Sequence, residues 1–117
     1  MARIRTIKPS FWGDDKTSQL SRDARLLFIG LISMADDDGR FLASHAAIAG
    51  YVYPNDVIRA VQLAGWLSEI AGLGLVELYN GGAVKYGAIP KYRRHQRISH
   101  PTASTLPPPP VDALFPE

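Results

Sequence analysis

The sequence contains no cysteine, which excludes a disulfide framework and any metal site built on thiolates. No apolar run approaches the roughly 18 residues that a helix needs to cross a bilayer, so we expect no membrane contact. The N-terminal stretch MARIRTIKPSFW carries charge but lacks the apolar segment of a signal peptide. These absences favour a soluble protein of the cytoplasm.

Residue patterns typical of catalysis are also missing. The three histidines, His45, His95 and His100, do not pair at the spacing that places two metal ligands on one helix. There is no nucleophile elbow, phosphate-binding loop or glycine-rich nucleotide fingerprint. Three aspartates precede Gly39, but a calcium loop would need a glutamate at position 45, where the chain has histidine. We therefore expect a protein that is not an enzyme and that binds no cofactor or metal.

A length of 117 residues suits one domain with additional segments at its ends. We divide the chain into a basic N-terminal arm over residues 1–20, a folded domain over 21–98 and a proline-rich tail over 99–117. The tail holds four consecutive prolines at 107–110. Such a run favours an extended polyproline conformation and excludes a helix or an inner strand.

The stretch SRDARLLFIGLISMA, residues 21–35, has the pattern of an amphipathic helix. Ser21 is a good N-cap, and Asp23 lies in the first turn, where the helix dipole favours a carboxylate. Apolar residues recur at helical spacing and predict one buried face, made of Ala24, Leu27, Phe28, Leu31 and Ala35. The sequence from Asp36 to Gly39 predicts a turn that ends this helix.

Three further elements are predicted before position 73. GRFLAS indicates a very short strand, and SHAAIAGYVY indicates a short helix capped by Ser44, with Ile48 facing inward. A longer helix follows, capped by Asn55 or Asp56. Its predicted buried face comprises Ala60, Val61, Ala64, Leu67, Ile70 and Ala71. Trp66 belongs either to the core or to a contact between two copies of the chain.

The stretch LVELYNGGAVKYGAIP, residues 75–90, carries the clearest β signal. Two short runs surround Asn80–Gly82, which suits a tight hairpin turn with positive φ, and Pro90 ends the second run. The order helix, short strand, helix, helix, hairpin is the winged helix-turn-helix plan. We therefore predict an α+β fold with a three-helix core and a β-hairpin wing. In such proteins the second helix of the motif, here about 55–71, enters the major groove.

Positive charge is concentrated in two flanks around an acidic body. Residues 17–84 contain four arginines and seven acids, whereas residues 85–100 contain five lysines and arginines and no acid. DNA carries one charge per roughly 1.7 Å of helix axis, and basic side chains that contact its phosphates release counterions. The second flank therefore favours backbone contacts with DNA, although the cluster could instead only solubilise the end of a sheet.

Three segments, IRTIKPSFW, LSRDARLLFIGLISMADDDGR and IPKYRRHQRISHP, together resemble a family of small phage and prophage proteins. Members are described as replisome-organiser or replication-protein N-terminal domains, or as helix-turn-helix DNA-binding proteins. The resemblance covers about residues 3–101. It implies a winged-helix domain that binds DNA in phage replication or gene regulation, in the cytoplasm of the host bacterium. Among the matching residues, Phe11, Trp12, Leu27 and Phe28 look structural.

The candidate DNA contacts fall into three groups. Arg3, Arg5 and Lys8 lie in the arm, whose arginines could enter a minor groove as homeodomain arms do. The predicted recognition helix offers Asn55, Arg59 and Gln62, since Arg reads guanine and Asn or Gln reads adenine. The hairpin and the segment that follows it supply Lys85, Lys91, Tyr92, Arg93, Arg94, His95, Gln96 and Arg97. Because the predicted recognition helix offers few side chains that could distinguish bases, we expect phosphate contacts to supply most of the affinity for DNA.

Several functions remain open at this point. The main hypothesis is a double-stranded DNA-binding protein of phage type with a role in replication, and a phage transcriptional regulator is the nearest alternative. A third possibility is an interaction module that recruits or inhibits a host protein, such as a host replication protein. The final VDALFPE weakly resembles peptides that bind bacterial sliding clamps. The apolar surplus of the longer helix favours a homodimer.

Overall fold

The computed structural model describes residues 3–110, and the VDALFPE segment lies outside them. The elements are α1 (Arg22–Met34), β1 (Arg40–Leu42), α2 (His45–Val52), α3 (Ala60–Gly72), β2 (Glu77–Gly81), β3 (Val84–Ala88) and α4 (Tyr92–His95). Two single 3₁₀ turns, Pro9–Phe11 and Thr17–Gln19, precede α1. The predicted α+β class and the order of its elements are confirmed, with four helices and one three-stranded antiparallel sheet.

The first two helices begin where their caps predict. The Ser21 hydroxyl accepts a hydrogen bond from the Ala24 N–H, and the Ser44 hydroxyl accepts one from the Ala47 N–H, each at 3.2 Å. Each such cap contributes about 1 kcal/mol. The predicted buried face of α1 is confirmed, and Ile48 of α2 is fully buried.

The start of α3 differs from the prediction. Neither Asn55 nor Asp56 is its cap, because Pro54-Asn55-Asp56 forms a turn in which the Asp56 N–H donates to the Tyr53 carbonyl. The chain stays extended through Ile58, whose carbonyl lies 2.6 Å from Nε2 of His45. The helix begins at Ala60 after the N-cap Arg59. Asn55 therefore lies in a loop and not on the helix.

The buried face of α3 is also rotated from the predicted one. Leu63, Leu67 and Ile70 are buried at a spacing of four and three residues, whereas Val61 is 69 % exposed. The predictions for Leu67 and Ile70 are confirmed, and those for Ala60, Val61 and Ala64 are wrong, since all three are exposed. Trp66 is half-buried against the core, and its ring lies 5.7 Å from that of Tyr53. This packing places Trp66 against the edge of the core.

The sheet has the order β1-β3-β2, with both pairs antiparallel. The hairpin turn consists of Gly82 and Ala83, so the strands continue one residue beyond Asn80, and Gly82 has a φ of 67°. At Gly87 any side chain would collide with the Phe41 ring on the paired strand. The inner face of the sheet and helices α1, α2 and α3 enclose the core, whose largest fully buried side chains are Phe41, Leu27, Leu31, Ile48 and Ile70.

Within residues 3–110, no helix is both long enough and apolar enough to span a membrane.

Candidate nucleic-acid interface

The turn between α1 and β1 organises the side of the molecule that carries the basic flanks. Oδ1 of Asp36 accepts from the N–H groups of Asp38 and Arg40, each at 3.0 Å, and this fixes the turn. Gly39 has a φ of 82°, and a Cβ there would lie 2.6 Å from the Tyr92 side chain. The turn therefore needs glycine at this position, and it presents the carboxylates of Asp37 and Asp38 to the rest of the chain.

Asp37 is the centre of a buried polar cluster. Its side chain is 4 % exposed and accepts from the Arg5 guanidinium at 3.0 Å and from the Thr102 N–H at 2.8 Å, with Arg3 at 3.4 Å. The pKa of the Asp37 carboxyl lies below its ordinary value, chiefly because of the Thr102 N–H. Burial opposes this shift, and the Arg5 guanidinium supports it. One carboxylate thus joins Arg3, at the start of the described chain, to Thr102, at the start of the tail.

Arg5 does not belong to a free arm. Its side chain is 5 % exposed, donates to the Ala35 carbonyl at 2.9 Å, and has its guanidinium carbon 5.3 Å from the centre of the Tyr92 ring. Arg3 is more exposed, but it donates to the carbonyls of Ser99 and His100. The acidic turn therefore holds both arginines of the predicted N-terminal arm.

Two other predicted contacts are structural. The Gln96 amide accepts from the Thr6 N–H and donates to the Thr6 carbonyl, both at 2.9 Å, and Gln96 is 6 % exposed. Tyr92 is buried and donates from its hydroxyl to the Ile32 carbonyl at 2.7 Å. Burial raises the pKa of Tyr92 to about 12. Both side chains are therefore buried and engaged in hydrogen bonds within the protein.

These two buried residues determine what α4 exposes. Tyr92 and Gln96 are four residues apart and share the inward side of one helical turn. The residues between and after them, Arg93, Arg94, His95 and Arg97, therefore point outward and are exposed. Lys91 precedes the helix in the left-handed conformation, with a φ of 57°.

The outward residues of α4 and the segment from Thr6 to Lys8 border an open groove of about 770 Å³, which we call the basic groove. Its lining residues are Thr6, Lys8, Arg93, Arg94, His95, Gln96, Arg97, Ile98 and Pro101. Four of these are cationic, and no acidic residue of the described chain lines the groove. A groove with this lining attracts anions.

The cations of the basic groove differ in how firmly they are held. Arg93 forms an ion pair with Asp38 at 2.7 Å while remaining half-exposed. Lys8 donates to the Arg94 carbonyl at 3.3 Å. The guanidinium groups of Arg94 and Arg97 have no hydrogen bond or ion pair to any other residue in the range 3–110. Arg94 and Arg97 are therefore the best available phosphate ligands.

Lys85 lies apart from the basic groove. It is exposed on β3 opposite Asn80, near the hairpin turn, and its carbonyl accepts from the Ala43 N–H. The four residue-to-residue steps from Lys85 to Ile89 span about 13 Å at the rise of a strand. Lys91 is exposed beside α4 but does not line the groove. The predicted second flank is thus divided between two surfaces.

The predicted reading residues are not assembled into one face. Arg59 is the N-cap of α3, and its N–H donates to Oε1 of Gln62 at 3.0 Å, so Gln62 caps its own helix. Neither of these residues, nor Asn55, lines the basic groove. The exposed face of α3 presents Val61, Ala64, Gly65 and Ser68 and carries no charge. This face has little with which to distinguish base edges by hydrogen bonding.

One feature not predicted from the sequence is the role of the three aspartates as anchors for Arg3, Thr102 and Ser104. A signal was present, since three consecutive acids in a turn had two basic flanks available as partners. The roles of Thr6 and Ser104 carried no such signal, because their bonds depend on backbone geometry.

Comparison with known proteins found no matching family model, no matching curated protein and no matching solved structure.

Proposed function

We propose that this chain is a winged helix-turn-helix DNA-binding protein of phage or prophage type that holds double-stranded DNA by its phosphate backbone. The observation that carries the proposal is the basic groove, which is lined by four cations and by no acidic residue of the range 3–110, although Arg93 is paired with Asp38 behind it. Two of them, Arg94 and Arg97, have no internal partner among residues 3–110. A surface of this kind gains free energy by replacing condensed counterions on a polyanion.

The topology supports the winged-helix part of the proposal. Helix, strand, two helices and a hairpin follow one another, and β1 pairs with β3 to give the order β1-β3-β2. This arrangement is compatible with α2 and α3 as the helix-turn-helix and the β2–β3 hairpin as the wing. The resemblance of residues 3–101 to phage replication proteins supports a proposed role in phage replication. Regulation of phage transcription uses the same fold and is the nearest alternative.

The uncharged outer face of α3 favours recognition of DNA shape and charge over recognition of sequence. Three or four phosphate contacts predict a slope of log K against log salt of roughly −3 to −4. Affinity should then fall on the order of a hundredfold between about 50 and 200 mM salt. We expect similar affinities for duplexes of unrelated sequence.

The test is a fluorescence-anisotropy titration of random-sequence duplex DNA at several salt concentrations. Arg94→Ala/Arg97→Ala should weaken binding at low salt and reduce the salt slope by roughly 2. Its melting temperature should be unchanged, because both side chains are exposed. Lys16→Ala/Arg22→Ala removes the same charge from exposed positions outside the basic groove and serves as the control. Equal binding and equal slopes for the two double variants would refute the assigned interface.

A second candidate function is a protein-interaction module that recruits or inhibits a host protein. It is favoured by the exposed apolar residues near the start of α3, where Val57 is 96 % and Val61 is 69 % exposed. If wild-type protein binds no duplex even at low salt, this alternative replaces the first. The basic groove would then be a docking surface for an acidic protein.

A further inference from the structure

The proline-rich tail lies along the molecule in a defined path. After Thr102, the Ser104 N–H donates to Oδ2 of Asp38 at 2.9 Å, and its hydroxyl donates to Asp36. Further along the tail, the Leu106 carbonyl accepts a hydrogen bond from the Arg40 guanidinium at 3.0 Å. The Pro107 carbonyl accepts one from the Tyr79 hydroxyl at 2.7 Å. The tail therefore passes from the acidic turn onto the sheet.

The surface that receives it is the outer face of the sheet. Register places Arg40 opposite Ala88, and both Leu42 and Tyr79 opposite Tyr86, so these side chains share the face turned away from Phe41 and Gly87. The rings of Tyr79 and Tyr86 stack at 5.7 Å. We call Arg40, Leu42, Tyr79 and Tyr86 the tyrosine ledge. Gly81 lies at its end, where a Cβ would be 2.7 Å from the Tyr86 ring, so the absence of a side chain leaves room for that ring.

The chemistry of the tyrosine ledge matches that of an extended proline-rich peptide. A polyproline helix has no internal hydrogen bonds, so its carbonyls need donors from outside, and prolines offer no N–H in return. The tyrosine ledge supplies two donors to consecutive carbonyls and two aromatic rings for the proline faces, which is how proline-rich ligands are bound in aromatic grooves. Leu106 and Pro109 are half-buried and three residues apart, the repeat of a polyproline helix.

We propose that the tyrosine ledge is a polyproline-binding surface and that it also accepts the tail of a second copy of this chain, so that two chains can exchange tails. The second copy is the occupant because the segment seen to fit the tyrosine ledge is the chain's own tail, and every copy carries it. The hydrogen bonds to the carbonyls of residues 106 and 107 can form in the same way whether the tail arrives from its own domain or from another. Exchange of an identical segment between protomers creates no new interface and costs little.

The tethered tail competes with an incoming one. A short linker holds it at an effective concentration in the millimolar range, so wild-type chains at micromolar concentration keep their own tails. Exchange becomes visible when one chain has an empty ledge and another has a free tail. Two complementary full-length variants provide this situation.

The tail-defective chain carries Leu106→Glu/Pro109→Glu, which charges the two half-buried tail positions and leaves the tyrosine ledge intact. The ledge-defective chain carries Arg40→Met/Tyr79→Phe, which removes both donors and keeps the packing of their stems and rings. The matched control is Thr105→Glu/Pro108→Glu, with the same added charge at exposed tail positions. Circular dichroism melting establishes that each variant is folded before it is used.

Sedimentation velocity should show each chain as a monomer and the equimolar mixture of the two defective chains as a 1:1 dimer. In an isotope-labelled tail-defective chain, the resonances of Tyr79 and Tyr86 should shift when the unlabelled ledge-defective chain is added. The control chain should bind the ledge-defective chain at least about tenfold more weakly than the tail-defective chain does, because the tail of the control chain stays docked on its own ledge. A mixture that remains monomeric would overturn the proposal. Binding of an unrelated proline-rich peptide without association of the two chains would overturn the second copy as the occupant.

Discussion

The two basic flanks of the chain, residues 1–16 and 85–100, both contain arginines, but these arginines have opposite uses in the fold. Arg5 of the first flank is buried against Asp37, and Arg3 is held by the same carboxylate and by carbonyls of the tail. Arg94 and Arg97 of the second flank face no acid and remain exposed. The difference lies in what the tertiary structure places opposite each guanidinium, since the residue type is the same. A basic residue near a chain end is therefore evidence of a ligand surface only if no acidic residue of the same chain pairs with it.

Arg5→Met is the strongest test of this contrast. It removes the buried partner of Asp37 and the donor to the Ala35 carbonyl, leaving polar groups without compensation. We expect the melting temperature to fall by about 10 °C. The affinity of the folded protein for duplex DNA should change little. Arg22→Met, at an exposed position on α1, is the control and should melt as the wild type does. A stable Arg5→Met with weakened DNA binding would reverse the assignment of this flank.

Gln96→Ala should have the next largest effect on stability. The substitution removes the side-chain amide that bonds to both the N–H and the carbonyl of Thr6, so both backbone groups lose their hydrogen-bond partner. We expect a loss of about 2 kcal/mol in the free energy of unfolding, measured by urea denaturation. Gln19→Ala removes an exposed amide bonded to the Asp15 carbonyl and should cost much less. Equal losses for the two variants would mean that Gln96 does not anchor the arm.

The smallest effect concerns acid pH. The folded-state pKa of Asp37 lies below its ordinary value, mainly because of the Thr102 N–H, so its carboxylate contributes stability at neutral pH. This contribution is lost as the pH falls through the folded-state pKa, where the carboxyl becomes protonated. Urea midpoints measured from neutral pH to about pH 2 should fall less steeply for Asp37→Asn than for wild type. Asp15→Asn, an exposed carboxylate, should retain the wild-type slope.

Local chemistry explains which parts of the fold were predictable. Helices α1 and α2 combine a serine cap with apolar spacing, and both cues act within a few residues. The start of α3 was misplaced because the asparagine and aspartate after Pro54 are as suitable for a turn as for a cap. Gly39 and the hairpin were recognisable from glycine's tolerance of positive φ.

The candidate site was predictable only in part, because its contacts join distant residues. Arg94 and Arg97 were identified from charge alone, and their exposure agrees with that choice. Arg5, Tyr92 and Gln96 carry the same chemical groups as good ligand contacts, and their burial depends on partners 30 to 90 residues away. The docking of the tail on Tyr79 likewise joins residues 28 positions apart. No local pattern encodes these pairings.

The convergence of both chain ends on Asp37 has a mechanical consequence. Arg3 lies within 3.4 Å of Asp37, while the N–H of Thr102 donates to the same carboxylate at 2.8 Å. A force applied between these two residues would load the bonds to this carboxylate together with the bonds from Arg3 to Ser99, His100 and Thr102. Residues 3–102 thus form a nearly closed loop whose two ends are joined at the acidic turn.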